Sequence, residues 1–179
     1  MTCIVGLVDE DKVYIGGDSA GVAGYNITVR KDKKVFKNGS FIMGFTSSFR
    51  MGDLLHWSFE PPEHPSKMSV DKFMRTVFID AVRACLKEGG YSVIENNNER
   101  AGCFIVGYRG KLFSIYSDFQ VGESVVLYDS VGCGSLYALG SLYSTKGNPK
   151  KRILIALKAA EEFSSGVVSP FQVLSMSRE

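Results

Sequence analysis

Residues 2–19 read TCIVGLVDEDKVYIGGDS, and their pattern predicts how the fold begins. It contains two short apolar runs, residues 3–8 and 13–17, separated by the polar residues 9–12, and this pattern predicts a β-hairpin. A second hairpin is predicted where residues 34–37 and 41–45 flank an Asn-Gly pair, because Asn-Gly between apolar runs is the strongest short hairpin signal. The chain therefore begins with strands joined by tight turns.

The rest of the chain groups its predicted helices apart from its hairpins. Ser69 predicts the cap of a long amphipathic helix that ends at Gly89-Gly90. The remaining predicted elements are a helix over about 48–57, strands at 103–108, 112–117 and 124–128, helices over 136–143 and from Asn148-Pro149 to about Phe163, and a strand at 168–176. This order favours a layered α+β fold over a doubly wound parallel sheet.

Composition predicts a soluble, unexported chain that folds as one domain. The 179 residues are 45% hydrophobic, and the net charge of +2 gives no field that would favour nucleic acid or an anionic membrane as a partner. No apolar run approaches the roughly 20 residues that span a bilayer. The four cysteines show no metal-type or paired spacing, so we expect no metal site and no disulfides, as is usual in a reducing cytosol.

Thr2 is the first candidate for chemistry. A small residue after Met1 is a common setting for removal of the initiator methionine, which would leave threonine at the terminus. Such a threonine carries a hydroxyl nucleophile and an α-amine whose unperturbed pKa of roughly 8 suits a general base. Asp18 follows after sixteen residues and Lys34 after sixteen more. Considered singly, these two would be an ordinary turn carboxylate and a solvated lysine.

The runs TCIVGLV, DKVYIGGDS, KKVFK and IMGFTSS resemble the start of proteasome β subunits and of the related HslV-type protease, without a gap from Thr2 to Ser48. The resemblance implies a four-layer αββα sandwich of two mainly antiparallel sheets, formed by a single domain over residues 1–179. It also implies that Thr2, Asp18 and Lys34 form the catalytic group. A lysine ammonium would favour the less protonated forms of the hydroxyl and amine, and the carboxylate would hold that lysine charged and oriented.

The resemblance assigns further residues to the site. It implies a backbone oxyanion donor at Ser48, where the family usually has glycine. It also implies a pocket for the substrate residue before the cut, bordered by Gly21, Asp32, Phe36, Thr46 and Arg50. In the second half it implies support for the amine by Cys133, Glu162 and Ser165. The family has serine at the first of these positions and aspartate at the second, so Cys133 is either a weaker hydrogen-bond partner or only a packed small residue.

The function implied by the resemblance is peptide hydrolysis by a threonine-type peptidase, after Met1 is removed. We expect no cofactor and no metal, a cytoplasmic homo-oligomeric ring that encloses the sites, polypeptide substrates and a possible unfolding ATPase partner. Two alternatives stay open. One is a non-catalytic ring or scaffold subunit, and the other is a small-amide hydrolase of the same fold.

Overall fold

The computed structural model describes residues 1–178. Its strands are β1 Cys3–Asp9, β2 Lys12–Gly17, β3 Ala20–Ala23, β4 Asn26–Val29, β5 Val35–Asn38, β6 Phe41–Phe45, β7 Val93–Glu95, β8 Asn98–Arg100, β9 Phe104–Tyr108, β10 Lys111–Ile115, β11 Val121–Gly122, β12 Tyr128–Gly132 and β13 Gln172–Ser177. Its helices are α1 Phe49–Asp53, α2 Val70–Phe73, α3 Ile79–Glu88, α4 Ser135–Ser144 and α5 Pro149–Phe163. A π-helical turn, Leu54–Ser58, extends α1, and another, Met74–Phe78, joins α2 to α3.

Two antiparallel sheets form the centre of the structure. One has four strands in the order β12-β1-β2-β13, and the other has five in the order β11-β10-β9-β6-β5. Both predicted hairpins are present: β1 pairs antiparallel with β2, and β5 with β6. The prediction of an α+β fold built on antiparallel sheets is therefore confirmed.

Both faces of the central strands are buried. Alternate side chains of a strand point to opposite sides of the sheet, so each strand contributes to two different core clusters. In β1, Cys3, Val5 and Leu7 contribute to a core cluster shared with α4 and α5. Ile4, between them, belongs to a second cluster that includes Ile42 of β6. A third cluster lies between β6, β9 and the helices α1 to α3. The two sheets thus share one core, and each has a further core against helices.

Two predicted helix caps are present in the structure. The Ser69 side chain accepts a hydrogen bond from the Lys72 N–H at the start of α2, and the Asn148 side chain accepts one from the Lys151 N–H at the start of α5. Pro149 occupies the first turn of α5, where its missing N–H costs no hydrogen bond. Within residues 1–178, none of the helices has both the length and the apolar character needed to cross a membrane.

The predicted strand at residues 124–128 is wrong. Residues 124–127 form an irregular turn, and β12 begins only at Tyr128. The apolar side chains that prompted the prediction point outward: Val125 is 97% exposed, and Leu127 has a φ of 60° that breaks extended geometry. The last strand begins at Gln172, later than the predicted residue 168. The hairpins β3–β4 and β7–β8 were not predicted, because their strands have mostly exposed side chains.

Candidate active site

The predicted catalytic residues lie at the ends of three strands. Pairing of Ile4 with Gly17 places the start of β1 beside the end of β2, so Thr2 and Asp18 are neighbours. Lys34 directly precedes β5 of the other sheet, and its carbonyl accepts a hydrogen bond from the Phe45 N–H at the end of β6. The two sheets therefore bring the three side chains to one edge of their shared core.

Lys34 connects the other two side chains. Its Nζ donates to Thr2 Oγ1 at 2.7 Å and lies 3.0 Å from each carboxylate oxygen of Asp18. Asp18 is held from the opposite side by two backbone N–H groups, of Cys3 at 3.0 Å and of Ala20 at 2.9 Å. All the polar groups of this cluster thus have partners, which gives the ammonium one orientation toward the Thr2 hydroxyl.

The cluster is shielded from solvent. Thr2, Asp18 and Lys34 are each less than 5% exposed. Burial lowers the pKa of Lys34, and the Asp18 carboxylate opposes that shift by favouring the charged ammonium. Burial also raises the pKa of the adjacent Cys3 thiol to about 12, so this thiol stays protonated and does not compete with Thr2 as a nucleophile.

Cys133 contacts the backbone of Thr2 at both ends of that residue. The Thr2 N–H donates to Cys133 Sγ at 3.2 Å, and the thiol donates to the Thr2 carbonyl at 3.4 Å. The Ser164 hydroxyl, which follows the end of α5, donates to the same sulfur at 3.3 Å. Ser164 was not predicted, and the only sequence signal for it is its position next to Ser165.

Glu162 and Ser165 lie outside this cluster. Both are exposed, and within residues 1–178 neither makes a side-chain hydrogen bond to Thr2 or Cys133. Glu162 is in the last turn of α5 and Ser165 lies two residues beyond the end of that helix, whereas Ser164 is the residue that contacts Cys133. Their predicted support of the amine remains a prediction.

The backbone around Ser48 forms a tight turn. The Ser48 N–H, the predicted oxyanion donor, donates to the Thr46 carbonyl at 2.9 Å, and the intervening Ser47 has a φ of 73°. The Ser48 hydroxyl caps α1 by accepting from the Arg50 N–H. A substrate oxygen would have to replace the Thr46 carbonyl as the acceptor, so the oxyanion role of Ser48 stays a prediction.

A cleft of about 310 Å³ opens beside Thr2, between the β3–β4 hairpin and the segment after β6. Of the five predicted pocket residues, Gly21 and Thr46 line it. Asp32 borders a neighbouring groove, Phe36 is buried and stacked on His56, and Arg50 donates to the Gly89 carbonyl. Other walls come from residues that were not predicted, among them Arg30, Phe45 and Phe49.

Met1 occupies one end of this cleft. Its carbonyl oxygen accepts a hydrogen bond from the Thr2 hydroxyl. On its other side, a Cβ added to Gly166 would come within 2.1 Å of the Met1 Cβ. Glycine at position 166 therefore leaves room for a residue before Thr2. While Met1 is present the Thr2 nitrogen is an amide, which cannot serve as a base.

Comparison with solved structures shows which proteins share this architecture. BPH of Thiobacillus denitrificans, solved in complex with epoxomicin, has a TM-score of 0.81 and 20% identity over 99% of this chain and 100% of its own. Anbu of Hyphomicrobium sp. strain MC1, solved as a Gly-1 mutant, has a TM-score of 0.72 and 19% identity, over 99% of this chain and 82% of its own. HslV of Trypanosoma brucei has a TM-score of 0.69 and 14% identity, over 98% of this chain and 99% of its own. No protein-family model and no curated protein matches the sequence.

These likenesses extend over nearly the whole chain at low identity, so what they show is the fold. The chain has the fold of BPH, HslV and Anbu, which are proteasome-like N-terminal-nucleophile hydrolases. The resemblance to proteasome β subunits and HslV seen in the sequence is confirmed at this level.

Proposed function

We propose that this chain is a threonine-type peptidase of the proteasome β-subunit and HslV kind, with Thr2 as its nucleophile once Met1 has been removed. The observation that carries the proposal is the hydrogen bond from Lys34 Nζ to Thr2 Oγ1, at 2.7 Å, within a buried cluster that also holds Asp18. The ammonium is paired with Asp18 and also donates to the Thr2 hydroxyl, where it would stabilise the negative charge that develops on Oγ1 as this hydroxyl loses its proton and attacks a carbonyl.

The geometry supports a two-step acyl transfer. Thr2 Oγ1 attacks the substrate carbonyl carbon, and its proton passes to the free Thr2 amine. Collapse of the tetrahedral intermediate breaks the peptide bond, and the amine returns that proton to the leaving nitrogen. Water then attacks the acyl ester, again with the amine as base, and releases the acid and Thr2. Lys34 keeps its ammonium beside the oxygen throughout, and Asp18 holds that ammonium in place.

Activity is expected to rise and then fall as pH increases. The Thr2 amine must be neutral to accept a proton, so activity is gained above its pKa, which is roughly 8 when unperturbed and lower beside an ammonium. Lys34 must stay charged, so activity is lost above its pKa, which burial brings below the ordinary range. A pH profile of kcat/KM measures both limbs. In Asp18→Asn the alkaline limb should move to lower pH, and an unmoved limb would contradict the role given to Lys34.

Cys133→Ser is expected to raise kcat, by about two- to fivefold, because a hydroxyl is a better hydrogen-bond partner for the amine than a thiol. The thiol lies 3.2 Å from the Thr2 nitrogen, within reach of that amine. Cys133→Ala, which removes the partner altogether, should lower kcat by a similar factor. Steady-state kinetics on both variants test this. Equal rates for all three proteins would mean that Cys133 is only a packing residue.

Assembly and location are further parts of the proposal. We propose a single domain over residues 1–179 with the four-layer αββα arrangement, which the three core clusters support. Copies of the chain would form a cytoplasmic ring that admits unfolded polypeptides, with an unfolding ATPase as a possible partner. A ring of this kind encloses the active sites and so keeps folded proteins away from them. The four cysteines are free thiols, which is consistent with a reducing compartment.

A non-catalytic scaffold subunit is the second candidate. It is favoured by the engaged Ser48 N–H and by the positions of Glu162 and Ser165 outside the cluster. Intact-mass spectrometry with epoxomicin, the ligand in the BPH complex, separates the two functions. The peptidase should lose Met1 and gain one adduct. A chain that has lost Met1 and gains no adduct would be a scaffold, and the peptidase proposal would then be wrong.

A further inference from the structure

Arg30 gives the cleft beside Thr2 a fixed positive charge. It follows β4 and lines the cleft from the hairpin side. Lys34 is the other charged side chain in this wall, and it is engaged with Asp18 and Thr2. Within residues 1–178 no acidic side chain lines the cleft. A substrate side chain entering here therefore meets the Arg30 guanidinium, whose paired carboxylate, that of Asp32, lies outside the cleft lining.

Three contacts hold the Arg30 side chain in this position. Its guanidinium carbon lies 3.9 Å from the centre of the Phe49 ring, a cation–π distance. Its alkyl stem crosses Gly21, where an added Cβ would come within 2.6 Å of Arg30 Cδ. Its Nε and Nη2 both contact one carboxylate oxygen of Asp32, at 2.7 and 2.6 Å. The charge is therefore oriented before any substrate arrives, which reduces the entropy lost on binding.

The guanidinium keeps hydrogen-bonding capacity for a ligand. It has five N–H donors in a planar fork, and the contacts with Asp32 use only the Nε and Nη2 side of that fork. In the part of the chain that the structure describes, Nη1 makes no hydrogen bond or ion pair. The side chain is also partly open to solvent, at 41% exposed, so a ligand can reach it.

We infer that Arg30 makes this peptidase select substrates with an acidic side chain, Asp or Glu, at the residue before the bond that is cut. A carboxylate there would bind the open side of the guanidinium in a charge-assisted hydrogen bond. This inference rests on the proposed function, because it concerns the substrate of the Thr2 site. It gives the specificity role to Arg30, which is not among the five pocket residues that the resemblance implies.

The test compares two fluorogenic peptides that differ only by Glu or Gln before the cleaved bond, which are equal in shape and unequal in charge. The expected ratio of their kcat/KM values is about tenfold in favour of Glu. This ratio should fall as the salt concentration is raised, because screening weakens the ion pair between the substrate carboxylate and the partly exposed Arg30. Arg30→Gln should bring the ratio to one, and Arg30→Lys should keep part of it. Asp32→Asn, which removes the competing carboxylate, should raise it.

The outcomes distinguish a failure of the inference about Arg30 from a failure of the proposed peptidase function on which it rests. A ratio near one in the unmodified protein, or a ratio that Arg30→Gln leaves unchanged, overturns the inference while cleavage itself upholds the peptidase. Failure to cleave either peptide, together with no epoxomicin adduct, overturns the proposed function and the inference with it. Because a ratio compares two substrates on the same enzyme, partial unfolding of a variant does not alter it.

Discussion

Replacing Thr2 with alanine is expected to lower kcat by at least about a thousandfold and to abolish the epoxomicin adduct, because loss of a nucleophile removes covalent catalysis altogether. Alanine is also small, so removal of Met1 should proceed as before. The variant would keep its terminal amine and lose only the hydroxyl that Lys34 contacts. Intact-mass spectra and single-turnover kinetics on the same preparations measure both effects.

Thr2→Ser is the matched control. It keeps a hydroxyl in reach of Lys34 and should retain both the adduct and a measurable fraction of the rate. The thiol of the neighbouring Cys3 does not replace the lost hydroxyl as a nucleophile, because burial raises its pKa to about 12. If Thr2→Ala kept its activity, the nucleophile would lie elsewhere and the mechanism would be wrong.

The sequence predicted those parts of the fold in which local pattern and burial agree. The β1–β2 and β5–β6 hairpins have apolar runs joined by polar turns, and both are present. The strand prediction failed where exposed apolar residues have the sequence pattern of a strand. Val125, Val126 and Leu127 form a turn with more than half of each side chain exposed. Hydrophobic pattern alone does not show whether such residues face the core or the solvent.

The candidate site divides in a similar way. Thr2, Asp18 and Lys34 could be found because they match the catalytic positions of the family that residues 2–48 resemble. Arg30, Phe49 and Ser164 could not, because their roles depend on side-chain directions set by contacts between elements distant in sequence. Asp32 and Arg50 show the reverse case: the resemblance placed them at the pocket, but neither lines the cleft in the structure, where Asp32 pairs with Arg30 and Arg50 donates to the Gly89 carbonyl.

Lys34→Met is expected to lower the free energy of unfolding by about 3–5 kcal/mol, because removing one partner of a buried ion pair leaves the other charge unpaired. The pair is closed to solvent, with the Lys34 and Asp18 side chains 1% and 0% exposed. Asp18 would retain its two backbone N–H donors but lose the one cationic side chain that pairs with it within residues 1–178. Urea unfolding followed by circular dichroism measures the loss.

The double variant Asp18→Asn with Lys34→Met separates stability from catalysis. Removing both charges eliminates the unpaired carboxylate, so most of the lost stability should return. Hydrolysis should not return, because no ammonium then faces Thr2 Oγ1. Both properties can be measured on one preparation with Met1 removal verified by mass. If the stable double variant hydrolysed peptides at the original rate, Lys34 and Asp18 would be a structural pair, and the case for Thr2 as an activated nucleophile would lose its main support.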